Sequence, residues 1–237
     1  MLDHKLLSGL RVVWGARAEY FKLDTLVNSA SKLADKNSQI FFAEKKDWYF
    51  LPSANLTYSP VKDLNLRGSY PKSAVRPGMM ENSRFSRFNP NYGSVVRSNG
   101  VSSTIIDNYD AKIELFPGAG EILSAAYFYK YFDKPAEYYR LDNENNGRGY
   151  ITISNSDWAK VRGWEFEIRK SLGFVNDGFS FLKDVYVSGN LTLQKSEVRA
   201  REIQYGKSSA GVDSMYYKYL KYPRALYGQV ALLINAS

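Results

Sequence analysis

No cysteine occurs anywhere in the 237 residues, which excludes disulfides, thiolate nucleophiles and cysteine-held metals. Histidine is nearly as scarce. His4 is the single one, it has no histidine or cysteine partner for a zinc site, and it is expected as a solvated residue ahead of the first strand. The chain also lacks any apolar run near the roughly 18 residues that a membrane-crossing helix needs. The longest candidate near the end runs only from Val230 to Ile234. Helical periodicity beyond two turns is missing too. These absences exclude a helical membrane protein. They do not exclude a barrel, whose strands cross in about 9–11 residues with only every second one apolar. The opening "MLDHKLLSGL" carries Asp3 early and has neither a long apolar core nor a small-residue cleavage site, so it does not read as a secretory signal. "PGAG" (117–120) and "NGRG" (146–149) lack the lysine and hydroxyl context of a phosphate loop.

What is present is aromatic and basic. Aromatics make up 15% of the chain, a content suited to large amphipathic interfaces. The net charge of +8 allows nucleic acid, an anionic surface or an acidic ligand as partner. The dominant signal is alternation with a period of two. Leu10, Val12, Trp14, Ala16, Ala18 and Tyr20 alternate with Arg11, Arg17 and Glu19 in a strand read from Leu6. The same pattern recurs in 48–58, 64–70, 105–115, 122–132, 161–169, 185–194 and 226–234. That predicts about eight strands. The weakest is 48–58, because Pro52 cannot donate to a ladder.

Connection lengths alternate as well. Long segments at about 22–46, 71–103, 133–158 and 197–223 are separated by short or intermediate ones such as "SPVKD" and "PGAG". Structureless loops of that length are rare inside compact domains. An up-and-down sheet with its long loops gathered at one end accounts for them. Alternation by itself fits a soluble barrel with an apolar interior equally well. Full charges at mid-strand (Arg11, Arg67, Lys112, Glu114, Glu165, Glu167) suit a watered lumen, and Tyr20, Trp48, Tyr58, Tyr70 and Tyr131 near strand ends suit aromatic girdles. Glu165 and Glu167 share a face as a catalytic carboxylate pair would, but with Arg169 beside them they are expected to line the lumen. "DNEN" (142–145) could ligate calcium in a loop, and an exposed turn is the expected reading.

Four stretches carry a family resemblance: "FLPSANLTYSPVKDLNLRGSYPKSAVRP" (50–77), "IDNYDAKIELFPGAGEILSAAYFYKYFDKPAE" (106–137), "VRGWEFEIRKSL" (161–172) and "LTLQKSEV" (191–198). They resemble, in order, the C-terminal barrel portion of TonB-dependent outer-membrane receptors, in forms common in Bacteroidetes-type bacteria. The resemblance implies an all-β, antiparallel, up-and-down transmembrane barrel portion with long extracellular loops and short periplasmic turns. Pro71 departs from the family's usual serine or threonine. No plug and no TonB-contacting box is found, so residues 1–237 are read as a partial barrel domain, a fragment of a receptor. The implied function is energy-coupled uptake of a scarce nutrient, such as a metal chelate, vitamin or glycan. The implied partners are outer-membrane lipid and lipopolysaccharide, the imported ligand, and the TonB complex through the missing plug region. Neither enzymatic activity, a cofactor, a metal nor a nucleic-acid partner is expected.

Basic residues and tyrosines interleave in two long segments. From these Arg84, Arg87, Tyr216, Tyr217 and Tyr219 are read as loop surface for substrate. Two other readings stay open: a complete eight-stranded outer-membrane barrel with a structural or adhesive role, and a soluble ligand-binding β-barrel. The second requires Trp14, Leu66, Ile113, Tyr127, Phe166 and Leu191 to meet in a common dry interior.

Overall fold

Alternating sequence cannot bury both faces of a strand, so neighbouring strands must share their apolar side. The computed structural model shows one large curved sheet doing this. It describes residues 1–27, 41–82, 86–91, 93–98, 100–141, 150–175, 182, 184–207, 213–223 and 227–236. The strands are β1 (Leu2–Leu7), β2 (Leu10–Val27), β3 (Phe41–Val61), β4 (Leu64–Val75), β5 (Arg87–Asn89), β6 (Ser94–Ser98), β7 (Thr104–Leu115) and β8 (Ile122–Asp133). They continue with β9 (Ala136–Leu141), β10 (Tyr150–Asn155), β11 (Trp158–Ser171), β12 (Val185–Lys207), β13 (Asp213–Pro223) and β14 (Tyr227–Ala236). One helical turn, α1 (Met79–Asn82), lies between β4 and β5.

The large sheet has ten strands in the order β1-β2-β3-β4-β7-β8-β11-β12-β13, with β14 also on β12. All its pairings are antiparallel. The eight expected strands are all in it. The first needs correcting. Its start at Leu6 joins what the structure separates: a turn at Ser8–Gly9 divides β1 from β2. Gly9 takes φ +82°, and a Cβ there would lie 2.3 Å from the Ser59 carbonyl oxygen, so only glycine fits. His4 is likewise not ahead of the first strand. It sits in β1 with its ring stacked on Trp14 at 6.5 Å.

Pro52 does not interrupt β3, where it pairs with Ala16 of β2. On the other side of β3 the ladder to β4 stops at Ser53 and Pro71. Two residues without an N–H thus flank the place where β3 and β4 part.

The long connections are not structureless. Segments 71–103 and 133–158 contribute β5-β6-β10-β9, a second, four-stranded sheet in which β6 and β10 run parallel. Segment 197–223 continues β12 into a hairpin with β13. The reason is visible in the residues: "YITISN" and "AEYYRL" alternate as well as the wall strands do, and each side finds a partner only when the two loops meet.

Burial decides which way the large sheet faces. Trp14 (46%), Leu66 (37%), Ile113 (46%) and Phe166 (41%) stay exposed, so no dry interior gathers them. The apolar face looks outward. The opposite face holds the charged side chains, with Glu114 and Ser124 buried on it. The dry cluster lies instead in the small sheet, where Val96, Val101 and Ile153 pack with Ile151.

Candidate functional site

The lumen face of the large sheet carries a ladder of charge. Antiparallel register sets Arg67 of β4 opposite Lys112 of β7, with Glu114 one step toward the short-turn end. Arg67 Nε lies 2.8 Å from Glu114 Oε2 and Lys112 Nζ 2.9 Å from Glu114 Oε1. Lys112 also reaches Glu167 of β11 at 3.9 Å. Glu165 and Glu167 therefore sit in the wall's charge pattern, as lumen-lining residues should. Higher on the same face, Ser69 donates to Asp110 at 3.2 Å and Asn108 donates to the Pro71 carbonyl at 2.9 Å.

At the long-loop end the loops are tied to the wall. Asn155 is the main fastener. Its Nδ2 donates to the carbonyls of Ser102 (3.0 Å) and Lys134 (2.6 Å), and its Oδ1 accepts from the Ser102 N–H at 2.7 Å. Lys134, at φ 52°, turns the chain between β8 and β9, and its carbonyl also accepts from the Thr104 hydroxyl at 3.0 Å. Tyr49 of β3 donates to Ser103 Oγ at 2.7 Å. Arg76 pairs with Glu19 and lies over the Phe21 and Tyr49 rings at 5.8 and 5.9 Å. The two loops are thus joined to each other at the rim. Sequence reasoning passed over Asn155 and did not pair Glu19 with Arg76. The "NSD" turn signal after the alternating "YITIS" was the available clue for Asn155.

The residues read as loop surface fall in different places. Arg87 lies in β5 of the rim sheet, with one terminal nitrogen enclosed and lacking a hydrogen-bond partner. Tyr216, Tyr217 and Tyr219 lie in β13, opposite Gln204, Ile203 and Arg201 of β12. Strand parity separates them: Tyr217 and Tyr219 take register positions of the outer face, Tyr216 one of the lumen face. Arg84 and the "DNEN" segment lie outside the described residues.

At the short-turn end, Glu121 accepts from Lys170 Nζ at 2.7 Å and from the Ser171 N–H at 3.2 Å. These contacts, the Lys170 hydrogen bond first, hold its carboxyl below the usual carboxylate range. The arrangement as a whole is a wall with a charged inner surface, an apolar outer surface and a fixed rim.

Comparison with known proteins agrees with that geometry. The sequence matches the family described as TonB dependent receptor-like, beta-barrel, over residues 2–228. No curated protein sequence matches the chain. Among solved structures, it is similar to a mutant of the ferric enterobactin receptor PfeA of Pseudomonas aeruginosa, with a TM-score of 0.52 and 13% identity, over 97% of this chain and 35% of that one. The siderophore receptor PirA of the same organism gives 0.52 and 12%, over 96% and 42%. The Serratia marcescens hemophore receptor HasR, in complex with its hemophore and heme, gives 0.53 and 14%, over 94% and 37%. At such identities the likeness is one of fold. The chain spans about a third to two fifths of the length of those structures.

Proposed function

Because the chain belongs to the TonB-dependent receptor-like β-barrel family, we propose that it forms part of the wall of an outer-membrane receptor for energy-coupled uptake of a scarce nutrient. The observation that carries this is the polarity of the large sheet: tryptophan, phenylalanine and leucine outward, an Arg67–Lys112–Glu114–Glu167 ladder inward. Hydrocarbon accepts the first face and a watered lumen or plug the second. Among the described strands, β1 pairs only with β2, and the other edge is formed by β13 and β14 on β12. An open edge within a bilayer leaves backbone groups unpaired, at a cost of several kcal/mol each. Further strands are therefore required beside both edges, which argues against a closed eight-stranded barrel. The exposed apolar face argues against a soluble one.

The cargo class is a metal chelate, vitamin or glycan. A chelate is the first to test, since the structural neighbours are receptors for ferric enterobactin, a siderophore and a heme-carrying hemophore. Capture would fall to the loop end, with Arg84, Arg87, Tyr216, Tyr217 and Tyr219 as candidate surface. Parity favours Tyr216 for cargo and Tyr217 and Tyr219 for the surroundings of the wall. Coupling to the TonB complex would run through a plug carried elsewhere in the receptor. Outer-membrane lipid and lipopolysaccharide would surround the wall.

The test is uptake of radiolabelled ferric siderophores and heme by cells expressing the intact receptor that contains this chain, with and without an energised inner membrane. Accumulation that needs the energised membrane is expected. Accumulation of none of these cargoes, nor of a vitamin or glycan panel, overturns the reading.

A further inference from the structure

Above one point the wall divides. The ladder between β3 and β4 ends at the pair Ser53 and Pro71. Both strands go on, but with different partners. β3 stays with β2 as far as Phe41 opposite Val27, and β4 stays with β7 as far as Val75 opposite Thr104. The first positions past the ladder, Pro52 and Lys72, lie nine residues along β3 from Val61 and eight along β4 from Leu64 (61 − 52 and 72 − 64). A tilted strand leaves the hydrocarbon after about 9–11 residues. The fork therefore opens near the upper boundary, where water reaches the backbone groups that diverging strands leave unpaired. Deeper in the bilayer the same split would be costly.

Among the described residues, side chains bridge this fork, and they do so on the lumen face. Glu19 of β2 and Tyr49 of β3 are register partners on that face. Arg76, just past the end of β4, crosses to pair with Glu19, which Arg17 Nε also approaches at 2.5 Å. The Arg76 guanidinium lies over the Phe21 and Tyr49 rings as well. Tyr49 donates to Oγ of Ser103, the residue directly before β7. A partly exposed ion pair and a single hydroxyl bond are weak links beside a continuous backbone ladder. Leu51, one step above Pro52, is buried, so the base of the hairpin is packed. On the outer face, Phe50 and Trp48 are 67% and 73% exposed.

We propose that the β2–β3 hairpin above Pro52 is a hinged flap at the mouth of the lumen, held shut from inside by Arg76 on Glu19 and by Tyr49 on Ser103. Pro52 and Pro71 suit a hinge, since neither offers an N–H to close the fork. Releasing the two links lets the hairpin swing outward whole, with its own ladder intact, and widens the entry to the charged inner face. The proposal rests on the reading of that face as a lumen and adds a moving part to it.

The experiment uses the intact receptor in liposomes, and this chain brings no cysteine of its own. Spin labels at Phe50→Cys and Val75→Cys straddle the fork. A control pair at Leu56→Cys and Leu66→Cys sits below it. Electron–electron double resonance should give a longer distance across the fork whose population rises about tenfold in Arg76→Gln/Tyr49→Phe, the factor expected for loss of one or two weak links. Arg76→Lys, which keeps the ion pair, should retain the wild-type distance, and the control pair should not change. Amide exchange in 17–23 and 46–51 should stay slow, because the hairpin moves as a unit. A membrane-impermeant thiol reagent should modify Ser53→Cys, on the lumen face at the fork, faster in the double variant. No added long distance, quickened exchange throughout the hairpin, broadening of both label pairs, or unchanged modification of Ser53→Cys overturns the flap. Leu66→Cys, on the outer face, should be shielded from the same reagent by lipid. If Leu66→Cys reacts and Ser53→Cys does not, the failure lies in the reading of the wall and not in the hinge.

Discussion

Phe166→Arg is the most direct test of which face meets lipid. Phe166 is five residues from the end of β11 at Ser171 (171 − 166). At about 3.3 Å per residue and a tilt near 45°, that is roughly 12 Å of height, the middle of a band about 25 Å tall. An arginine at the midplane of a barrel's lipid face costs about 2–4 kcal/mol. The lost phenylalanine adds to this, because its ring stacks on Trp164 at 6.2 Å and is only partly exposed within the chain itself. Trp158→Arg probes another height on the same strand. Trp158 is thirteen residues from Ser171, about 30 Å up, beyond the band, where the arginine cost falls to about 0–1 kcal/mol. Glu165→Arg probes the neighbouring face at the height of Phe166 and should be nearly neutral if that face is wet. The assay is urea unfolding of the intact receptor in liposomes, followed by proteolysis and tryptophan emission. The expected order of destabilisation is Phe166→Arg well above Trp158→Arg and Glu165→Arg. If Glu165→Arg were the costly one, or all three were equal, the assignment of faces would be wrong.

Other consequences are local. A Cβ on Gly163 would lie 2.4 Å from the Leu193 carbonyl and 2.7 Å from the Phe128 ring, so Gly163→Ala must push β12 away; a loss of about 1–3 kcal/mol or more is expected by urea unfolding. Gly68→Ala is the matched control. Nothing lies within 4 Å of its added Cβ, and removing a strand glycine should stabilise by about 0.5–1 kcal/mol. Asn155→Ala removes three hydrogen bonds to backbone at roughly 1 kcal/mol each, so amide exchange in 94–98, 100–103 and 134–141 should quicken while that of β7 and β8 is unchanged. Glu121 has its folded pKa depressed below the usual 4.5. Its contribution is therefore complete above that value and lost as pH falls through the lower folded one. Amide protection at Ser171 should weaken only in that acid window, and Glu121→Gln should abolish the dependence.

The wall was legible in the sequence because its rule is local. A strand between lipid and water must alternate, and "VRGWEFEIR" or "YDAKIEL" states the rule without reference to any neighbour. Polarity was legible too, since mid-strand Arg67, Lys112 and Glu114 cannot point at hydrocarbon. What escaped is non-local. The rim sheet joins residues 94–98 to 150–155, two segments more than fifty residues apart, through a parallel pairing that neither states alone. Either would be a loop without the other. Asn155 looked like a turn residue, and only its three contacts show it fastening two connections to the strand ends.

The tyrosines of β13 show the same limit from another side. Their composition suggested a single ligand surface, as if 197–223 were a loop free to turn every ring one way. Pairing with β12 removes that freedom, because successive residues of a strand fall on opposite faces. Tyr216 and Tyr217 then cannot serve the same environment, however alike they are in chemistry. The outer-face register that Tyr217 and Tyr219 share also contains Lys195 and Leu193, so composition there answers to membrane as much as to cargo. Sequence density alone could not divide the two demands; the register does, setting Tyr216 on the face opposite to Tyr217 and Tyr219.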